Sequence, residues 1–326
     1  MHIVRDTLDD ILREVYGTLL EKSDKIETTR GATSELVGTH IELLNPRARL
    51  SRTETRGKAF SCLGELLWFL SGNNQLDFIQ HYVPKYVDES EDGQTVYGGY
   101  GPRLFSTNGI NQVDQVISLL KVNKLSRRAV IQLFKAEDNI NAHHAHLRHR
   151  EVPCTTHFQF LVRDNRLHML TYMRSNDAYL GLPHDVFCFT MLQEIVACSI
   201  SVELGVYRHF VGSLHLYSDH EADATDFMTE MFSGRTEMPP MPHGDPWPSI
   251  DTVLEAEGRI RNKSQIDVDQ LGLDSYWKDL LRLLQIYAAS DTTVIDAIHS
   301  KMSCNCYRPY IENRRERSGT KHVAYP

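Results

Sequence analysis

The sequence predicts an α+β fold in which a mixed sheet packs against one central buried helix. Residues 186–200 are almost all apolar and form too long a run for a strand, which indicates a buried helix. Residues 157–162 and 167–173 are β-like runs on either side of Asp164-Asn165, the pattern of a hairpin. Residues 207–217 return to strand character, which adds a further strand to the predicted sheet.

The elements that precede this central part follow from local spacing. Apolar residues at helical intervals predict helices over residues 7–22 and 60–71. The second helix carries a single acid, Glu65, which either faces the surface or is a buried acid with a raised pKa suited to proton transfer. Residues 128–134 are predicted to form a buried strand.

The composition shifts in the last third of the chain. Five prolines fall within residues 239–248, which indicates a loop or linker. Residues 276–289 have one apolar face and predict an amphipathic helix, whereas residues 308–321 are basic and polar and are expected to be exposed. The sequence therefore predicts a single domain over residues 1–326, with a core at about 30–232, a Pro-rich segment at 233–250 and a helical C-terminal region at 251–326.

Composition limits the classes of function. The 326 residues include 35 Lys and Arg against 43 Asp and Glu, so non-specific binding of nucleic acid over the whole surface is not expected. No apolar run approaches the roughly 18 residues of a membrane span, and the first residues lack the apolar region of a signal peptide. Six scattered cysteines fit a reducing, cytoplasmic setting. Cys304 and Cys306 have no matching His or Cys pair at ligand spacing, so no metal site is predicted.

Two sites carry residues with reactive or phosphate-binding side chains. Cys154 follows a proline at the entrance to a strand, where it is either a nucleophile in a cleft or a simply buried thiol. Arg127 and Arg128 precede a predicted strand, and paired guanidinium groups suit phosphate. The alternative for this pair is a solvated surface position.

A polar run lies between two of the predicted elements. Residues 174–177 offer four hydrogen-bonding side chains before the Gly-containing segment 180–183, so they form either a binding site for a polar small molecule or a capped loop. Asp185 stands at the predicted start of the long apolar helix and is a candidate N-cap. His215 and Tyr217 point to the same side of their strand because side chains alternate.

Together these pieces resemble the thymidylate synthase family, in order and spacing, from about residue 30 to residue 232. The matching motifs are Glu65-Leu66-Leu67-Trp68-Phe69-Leu70, Ser126-Arg127-Arg128, Pro153-Cys154, Arg174-Ser175-Asn176-Asp177, Leu180-Gly181-Leu182-Pro183 and Gly212-Ser213-Leu214-His215-Leu216-Tyr217. The resemblance implies the thymidylate synthase-like mixed sheet, with the C-terminal helices as an addition.

The resemblance also implies the chemistry. Cys154 would add to C6 of a pyrimidine nucleoside monophosphate, with its pKa lowered by nearby arginines, and Glu65 would move protons. The one-carbon unit would come from 5,10-methylenetetrahydrofolate. The folate would be bound by Asp177, Leu180 and Gly181, and the nucleotide by Arg30, Arg127, Arg128, Arg174, Ser175, Asn176, Asp177, His215 and Tyr217. Because the family takes the arginine pair from a neighbouring subunit, a homodimer is expected.

Three departures from the family pattern bear on substrate and product. Thymidylate synthases have Asn where this chain has Asp185, and a carboxyl group suits the N4 amine and N3 of cytosine. Residues 86–90 stand where synthases have tryptophans that pack on the folate, and the chain end Tyr325-Pro326 differs from the family's apolar tail. Asp185, Met173-Arg174-Ser175-Asn176-Asp177 and Gly212-Ser213-Leu214-His215 resemble the cytidylate hydroxymethylases of the family. The missing tryptophans and the altered tail favour water over hydride in the last step. Together these features predict C5 hydroxymethylation of dCMP or CMP.

Other activities stay open at this point. Methylation of dCMP or CMP, or of dUMP or UMP, fits the same motifs, and a catalytically silent nucleotide sensor is a non-transferase alternative. A cysteine hydrolase using Cys154 would need an oxyanion hole and a partner acid, for which the sequence has no motif.

Overall fold

The structure, a computed structural model, describes residues 1–28, 30–51, 58–140, 149–230 and 236–323. The strands are β1 (His2–Arg5), β2 (Ile26–Thr28), β3 (Gly31–Leu43), β4 (Val130–Gln132), β5 (Thr155–Arg163), β6 (Arg166–Asp177) and β7 (Glu203–Tyr217). The first helices are α1 (Leu8–Leu20), α2 (Ala59–Leu70), α3 (Leu76–Tyr82), α4 (Tyr100–Phe105), α5 (Gln112–Val122) and α6 (Glu137–Ile140). The later helices are α7 (Gly181–Ser199), α8 (Glu221–Thr229), α9 (Trp247–Arg261), α10 (Ser275–Ala288), α11 (Thr292–His299) and α12 (Arg308–Val323).

The strands form one mixed sheet in the order β1-β3-β7-β6-β5-β4, with β2 paired to β3. The pairs β1/β3 and β6/β7 are parallel and the others antiparallel, which confirms the predicted mixed sheet. Asp164 and Asn165 join β5 to β6 with φ of 50° and 55°, as a tight hairpin requires. The predicted buried strand at 128–134 is only three residues long, and Val130 is 42% exposed because β4 is an edge strand.

Helix α7 is the central buried helix. It packs on α2 and on β6, and nearly all of its residues are buried. It begins at Gly181, five residues before the start that its apolar run suggests. Pro183 is its third residue, where a missing N–H costs no helical hydrogen bond. Asp185 therefore lies inside the helix, and the prediction that it is the N-cap is wrong.

The C-terminal region is helical, as predicted, and shares the core of the sheet domain. The expected exposed tail at 308–321 is instead part of α12, with Tyr310 and Ile311 buried and the Tyr310 hydroxyl bonded to Ser51 O at 2.8 Å. The predicted Pro-rich segment 233–250 is shorter than expected, because α9 begins at Trp247.

Parts of two predictions fall outside the described residues, namely positions 233–235 and the chain end at 324–326. Cys304 and Cys306 are joined by a disulfide rather than kept as thiols, whereas the other four cysteines are free. In the described part of the chain, no helix combines the length and the apolar character that crossing a bilayer requires.

Candidate active site

Four chain segments meet beside the carboxyl end of β6 and carry most of the predicted site residues. Glu65 comes from α2, Cys154 from the segment before β5, residues 174–177 from the end of β6, and Asp185 from the first turns of α7. The charges of these groups act on one another: the Asp185 carboxyl raises the pKa of Cys154, and Glu65 raises that of Asp185. Thus the fold brings the predicted nucleophile and both predicted acids into one site.

Cys154 is half-buried, and its pKa is raised to about 12. Burial is the main cause, and the carboxyls of Glu151 and Asp185 add to it, while Arg174 acts in the opposite direction. Arg174 and Arg30 do act to lower this pKa, as expected, but burial outweighs them and the net shift is upward. Arg174 is nevertheless adjacent, because its guanidinium donates to the carbonyl oxygens of residues 152–153 at 3.0 Å each.

Glu65 is 7% exposed, so it is buried rather than surface-facing, and both of its oxygens accept hydrogen bonds. The Tyr86 hydroxyl donates to Oε1 at 2.7 Å, and His184 Nδ1 lies 2.6 Å from Oε2. Burial alone would lower the pKa of His184, but Cys62 and Glu65 raise it to about 10. At neutral pH, His184 is therefore an imidazolium paired with the Glu65 carboxylate. Ser61 Oγ lies 3.0 Å from the other ring nitrogen.

Asp185 is the second acid of the site, and its own pKa is shifted. Its pKa is raised to about 8, first by burial and then by the charge of Glu65. Asn176 Nδ2 donates to its Oδ2 at 2.7 Å and partly offsets this rise. The carboxyl of Asp185 is therefore largely protonated at neutral pH, so the site holds one ionised and one neutral acid.

Acids and arginines alternate at the end of the site next to Cys154. Arg30 Nη2 donates to Glu89 Oε2 at 2.8 Å and lies 3.6 Å from Glu151 Oε2. Burial and the charge of Glu89 raise the pKa of Glu151 to about 7, although Arg30 and Arg174 act against this. Arg30, which the resemblance assigns to phosphate binding, is paired with the carboxylates of Glu89 and Glu151.

The remaining residues predicted to bind ligands lie on β6, β7 and the turn that follows β6. Asp177 Oδ1 accepts hydrogen bonds from the N–H groups of Tyr179 and Leu180, at 2.8 and 2.9 Å, so this residue caps the turn into α7. His215 pairs with Asp177 across the two strands, and its ring packs edge-on against Tyr217 at 5.0 Å. Ser175 is half-buried on β6, between Arg174 and Asn176, and Gly181 begins α7.

Arg127 and Arg128 do not join this cluster. Both are exposed next to the edge strand β4, and neither is among the charges that act most strongly on Cys154. No ion pair is formed by either guanidinium within the described residues.

Four residues of the site are absent from the sequence-based prediction. These are His184 and Tyr86, which bind Glu65, Glu151, which acts on Cys154, and His209, which lies behind Asn176. His184 could have been found from its place beside Asp185. The other three are indicated only by contacts between residues far apart in the chain.

One group of side chains has the ligand types for a metal ion. Ligand atoms of His2, His40 and Glu42 lie within 4.8 Å of one another, far from Cys154 in the chain, on β1 and β3. The two imidazole rings stack with an interplanar angle of 8°, so their lone pairs do not converge, and Glu42 Oε2 is paired with Arg208 at 3.1 Å. We assign no metal to this group.

Comparisons with known proteins bear on the family and the fold of this chain. The family model described as thymidylate synthase matches residues 6–241. A deoxyuridylate hydroxymethyltransferase of Pseudomonas phage M6 is 30% identical over 220 residues, which are 65% of this chain and 61% of that protein. The chain therefore aligns with less than two thirds of that relative's length. The solved structure of thermostable thymidylate synthase A from Bacillus subtilis superposes with a TM-score of 0.62 at 22% identity, over 75% of this chain and 93% of that one. The superposition confirms the thymidylate synthase-like fold, and the family model spans well over half of the sequence: the chain belongs to the thymidylate synthase family.

Proposed function

We propose that this chain transfers a one-carbon unit from 5,10-methylenetetrahydrofolate to C5 of a cytosine nucleoside monophosphate, dCMP or CMP, and leaves a hydroxymethyl group there. The observation that carries the proposal is the convergence of Cys154, Glu65 and Asp185 in one site, where each acid acts electrostatically on a neighbour. A thiol supplies the nucleophile for C6, and the two acids supply the proton transfers that addition and elimination need.

The argument for cytosine rests on the protonation state of Asp185. With its pKa near 8, the side chain at neutral pH carries one O–H donor and one carbonyl acceptor. The O–H can donate to cytosine N3, while the carbonyl oxygen accepts from the N4 amine.

A uracil nucleotide is the second candidate for the substrate. The relative that is 30% identical is named for deoxyuridylate. The same neutral acid, with its two oxygens exchanged, can donate to uracil O4 and accept from N3–H. Base choice therefore depends on the orientation of the Asp185 carboxyl.

The residues around Cys154 include groups that can take up the proton its thiol releases. With a pKa of about 12, the sulfur is a thiol at neutral pH and must release its proton as it bonds to C6. Glu151 and Asp185, with pKa values of about 7 and about 8, are the neighbouring carboxyls that can exchange protons in that range. We assign Glu65, held as a carboxylate by His184, to proton transfer at the pyrimidine ring.

Tyr86 supports the hydroxymethyl product. It lies in the segment where synthases have tryptophans, and its ring packs edge-on against Trp68 at a centroid distance of 5.4 Å. Its hydroxyl binds Glu65, so this segment presents a phenol hydroxyl where synthases pack indole rings against the folate. Transfer of hydride to form a methyl group requires the exclusion of water, whereas addition of water does not.

The residues assigned to the folate fit a ligand with an N–H donor. Asp177 uses Oδ1 to hold the turn before α7, and Oδ2 has no hydrogen bond to the described residues. Leu180 and Gly181 follow directly on this turn, with Leu180 half-buried. When bound here, the folate supplies the one-carbon unit, and the chain's own part is to hold it beside Cys154.

We further propose that two copies associate through the outer face of the sheet. Half-buried rings of His157, Tyr172, Phe210 and His40 stack across four strands on this face, at centroid distances of 4.2 to 4.8 Å. Val37 on β3 is 77% exposed. A second copy on this face would cover these groups and could bring Arg127 and Arg128 to the other copy's nucleotide phosphate.

In the direct test, the protein is incubated separately with CMP, dCMP, UMP and dUMP, each together with 5,10-methylenetetrahydrofolate. Mass spectrometry then gives the mass of the nucleotide. An increase of about 30 Da reports hydroxymethyl transfer and about 14 Da reports methyl transfer, and the best substrate identifies the base. Cys154→Ser is the inactive control. Binding of nucleotide without any mass change, and without a covalent adduct to a 5-fluoropyrimidine nucleotide, would instead support a silent sensor.

A further inference from the structure

A line of buried polar side chains runs from the sheet to Asp185. The Tyr207 hydroxyl lies 2.7 Å from His209 Nδ1, and His209 Nε2 lies 3.0 Å from Asn176 Oδ1. Asn176 Nδ2 then donates to Asp185 Oδ2 at 2.7 Å. Tyr207 and His209 are fully buried and Asn176 is 3% exposed, so water does not compete for these bonds.

All the hydrogen bonds in this line can be assigned the same donor-to-acceptor direction, from Tyr207 toward Asp185. Burial lowers the pKa of His209 to about 3, so the ring is neutral and has one N–H donor and one acceptor nitrogen. Burial also keeps the pKa of Tyr207 well above its usual value, so its hydroxyl retains a proton to donate to Nδ1. The His209 proton is then on Nε2 and is donated to Asn176 Oδ1, which turns the amide N–H₂ of Asn176 toward Asp185.

The line ends by making the two oxygens of Asp185 different. Oδ2 accepts from Asn176, so in the neutral acid Oδ2 is favoured as the carbonyl oxygen and Oδ1 as the oxygen that carries the proton. Gly181 permits this contact, because a Cβ there would lie 2.9 Å from Asn176 Nδ2 and 3.5 Å from Asp185 Oδ2.

We propose that Tyr207, His209 and Asn176 form a one-directional hydrogen-bond line that determines which oxygen of Asp185 carries the proton, and thereby which pyrimidine base the site accepts. The inference rests on the proposed function, since it requires Asp185 to face the base. Cytosine needs the O–H opposite N3 and uracil needs it opposite O4, so a carboxyl of fixed orientation selects between them. Tyr207, His209 and Asn176 are positioning residues in this scheme, because they act through Asp185.

Other charged groups also act on this carboxyl. Titratable groups that interact with Asp185 from its own helix are His184 and Cys188. Those that interact with it from other parts of the chain are Glu65, Asp177, Cys154, Tyr100 and Tyr207. They influence how readily the acid ionises. The Asn176 amide is the group that bonds to a particular oxygen, so it distinguishes the two oxygens of the neutral form.

The test is Tyr207→Phe, which removes one buried hydroxyl and retains the ring. Without the Tyr207 donor, His209 can adopt the other tautomer and Asn176 can turn its carbonyl toward Asp185, so both carboxyl orientations become populated. We expect the ratio of kcat/KM for the preferred base over the other, measured with CMP and UMP, to fall about tenfold. Tyr276→Phe is the matched control, because it removes a buried hydroxyl 3.5 Å from Met191 Sδ, outside the line.

Two further measurements separate a positioning role from a general structural one. The turned amide accepts from the protonated acid, so in Tyr207→Phe the upper limb of the pH–rate profile should move to higher pH, by about one unit, and in Tyr276→Phe it should not. In ¹⁵N-histidine NMR spectra of the wild-type protein, we expect the His209 proton on Nε2, with the signal assigned by His209→Gln.

Different results would overturn the inference and the proposed function. A discrimination ratio unchanged within twofold in folded Tyr207→Phe, or a His209 proton found on Nδ1, overturns the inference. The NMR result does not depend on substrate: if no nucleotide binds to the wild-type protein, the proposed function fails, and a proton on Nδ1 still refutes the line.

Discussion

At the scale of single residues, the site keeps two carboxyl groups in different environments. Glu65 is held by an imidazolium and a tyrosine hydroxyl, whereas Asp185 is buried and faces the charge of Glu65. Environments that move the pKa values of two acids apart allow one acid to accept a proton while the other donates a hydrogen bond. Neither His184 nor Tyr86 contains a carboxyl group, yet both determine what the Glu65 carboxyl can do.

The first prediction concerns Asp185→Asn. Because the pKa of Asp185 is raised to about 8, its O–H donor is present below that pH and is lost as the pH rises through about 8. We expect wild-type kcat/KM for CMP to fall above pH 8, and the Asn variant to lack this fall and to prefer UMP. Steady-state kinetics with both nucleotides from pH 6 to 10 measure it. An Asn variant with unchanged base preference would contradict the assignment.

The second prediction concerns His184→Gln. This change leaves the Glu65 carboxylate buried without its charged partner, and we expect a loss of about 3 kcal/mol in the free energy of unfolding at neutral pH. The raised pKa of His184 sets the sign: the contribution is complete below about 6.5 and disappears as the pH rises through about 10. Urea unfolding at several pH values measures both effects. Ser61→Ala, which removes the hydroxyl that contacts the same ring and donates to Lys58 O but leaves the charge pair intact, should cost less, about 1.5 kcal/mol.

At the scale of elements, helix α7 connects the site to the C-terminal region. Its first turn carries His184 and Asp185, and further along Glu194 binds Arg49 and Arg47 and accepts from Met241 N at 3.1 Å. Arg49 is fully buried, so this ion pair is shielded from solvent. The same helix therefore carries Asp185 and His184 of the site and binds the segment that leads to α9.

The third prediction is that Glu194→Gln destabilises the protein by about 3 kcal/mol, because it leaves the buried Arg49 without a counter-charge. Burial tends to raise the pKa of Glu194, but Arg49 and Arg47 outweigh this and lower it. Its contribution is therefore present above pH 4.5 and is lost as the pH falls through the lowered pKa. Glu312→Gln, in an exposed pair with Arg308, should leave the midpoint of thermal unfolding unchanged. Thermal unfolding of both variants measures this difference, and an equal change in the midpoint for the two substitutions would refute the argument.

How far the elements could be predicted depends on which physical signal marks them. The buried run at 186–200 indicated α7 correctly, because apolar length alone excludes a strand there. The start of α7 was misplaced, since Gly181 and Pro183 resemble a turn although both are tolerated in a first helical turn. Helix α12 was missed for a different reason: its composition is basic, and only a few residues such as Tyr310 and Ile311 pack inward.

The candidate site was predictable only in its motif residues. Cys154, Glu65 and Asp185 stand in recognisable local patterns, and the fold brings them together. The pKa of Cys154 was not predictable, because burial outweighs the arginines and burial is set by the tertiary fold. The contact between His209 and Asn176 spans 33 residues, so no local pattern indicates it.

At the scale of the whole molecule, the proposed dimer follows from incomplete parts within one chain. Arg127 and Arg128 are exposed beside the edge strand, and the outer sheet face carries half-buried rings and the exposed Val37. A second copy on that face would account for both observations, and each site would then contain residues of two chains.

The last prediction tests that sharing by mixing two inactive proteins. Cys154→Ser lacks the nucleophile, and a chain with Arg127→Ala and Arg128→Ala lacks the donated guanidinium groups. In mixed dimers of the two, one site carries both defects and the other carries none, so after unfolding and refolding together about one quarter of the wild-type activity should return. Mixing the Cys154→Ser protein with Glu65→Gln is the control, because both changes fall within one chain's own share of the site. In that mixture every site keeps a defect. Equal recovery in both mixtures, or an active monomer in analytical ultracentrifugation, would show that the arginine pair serves its own chain or no site at all.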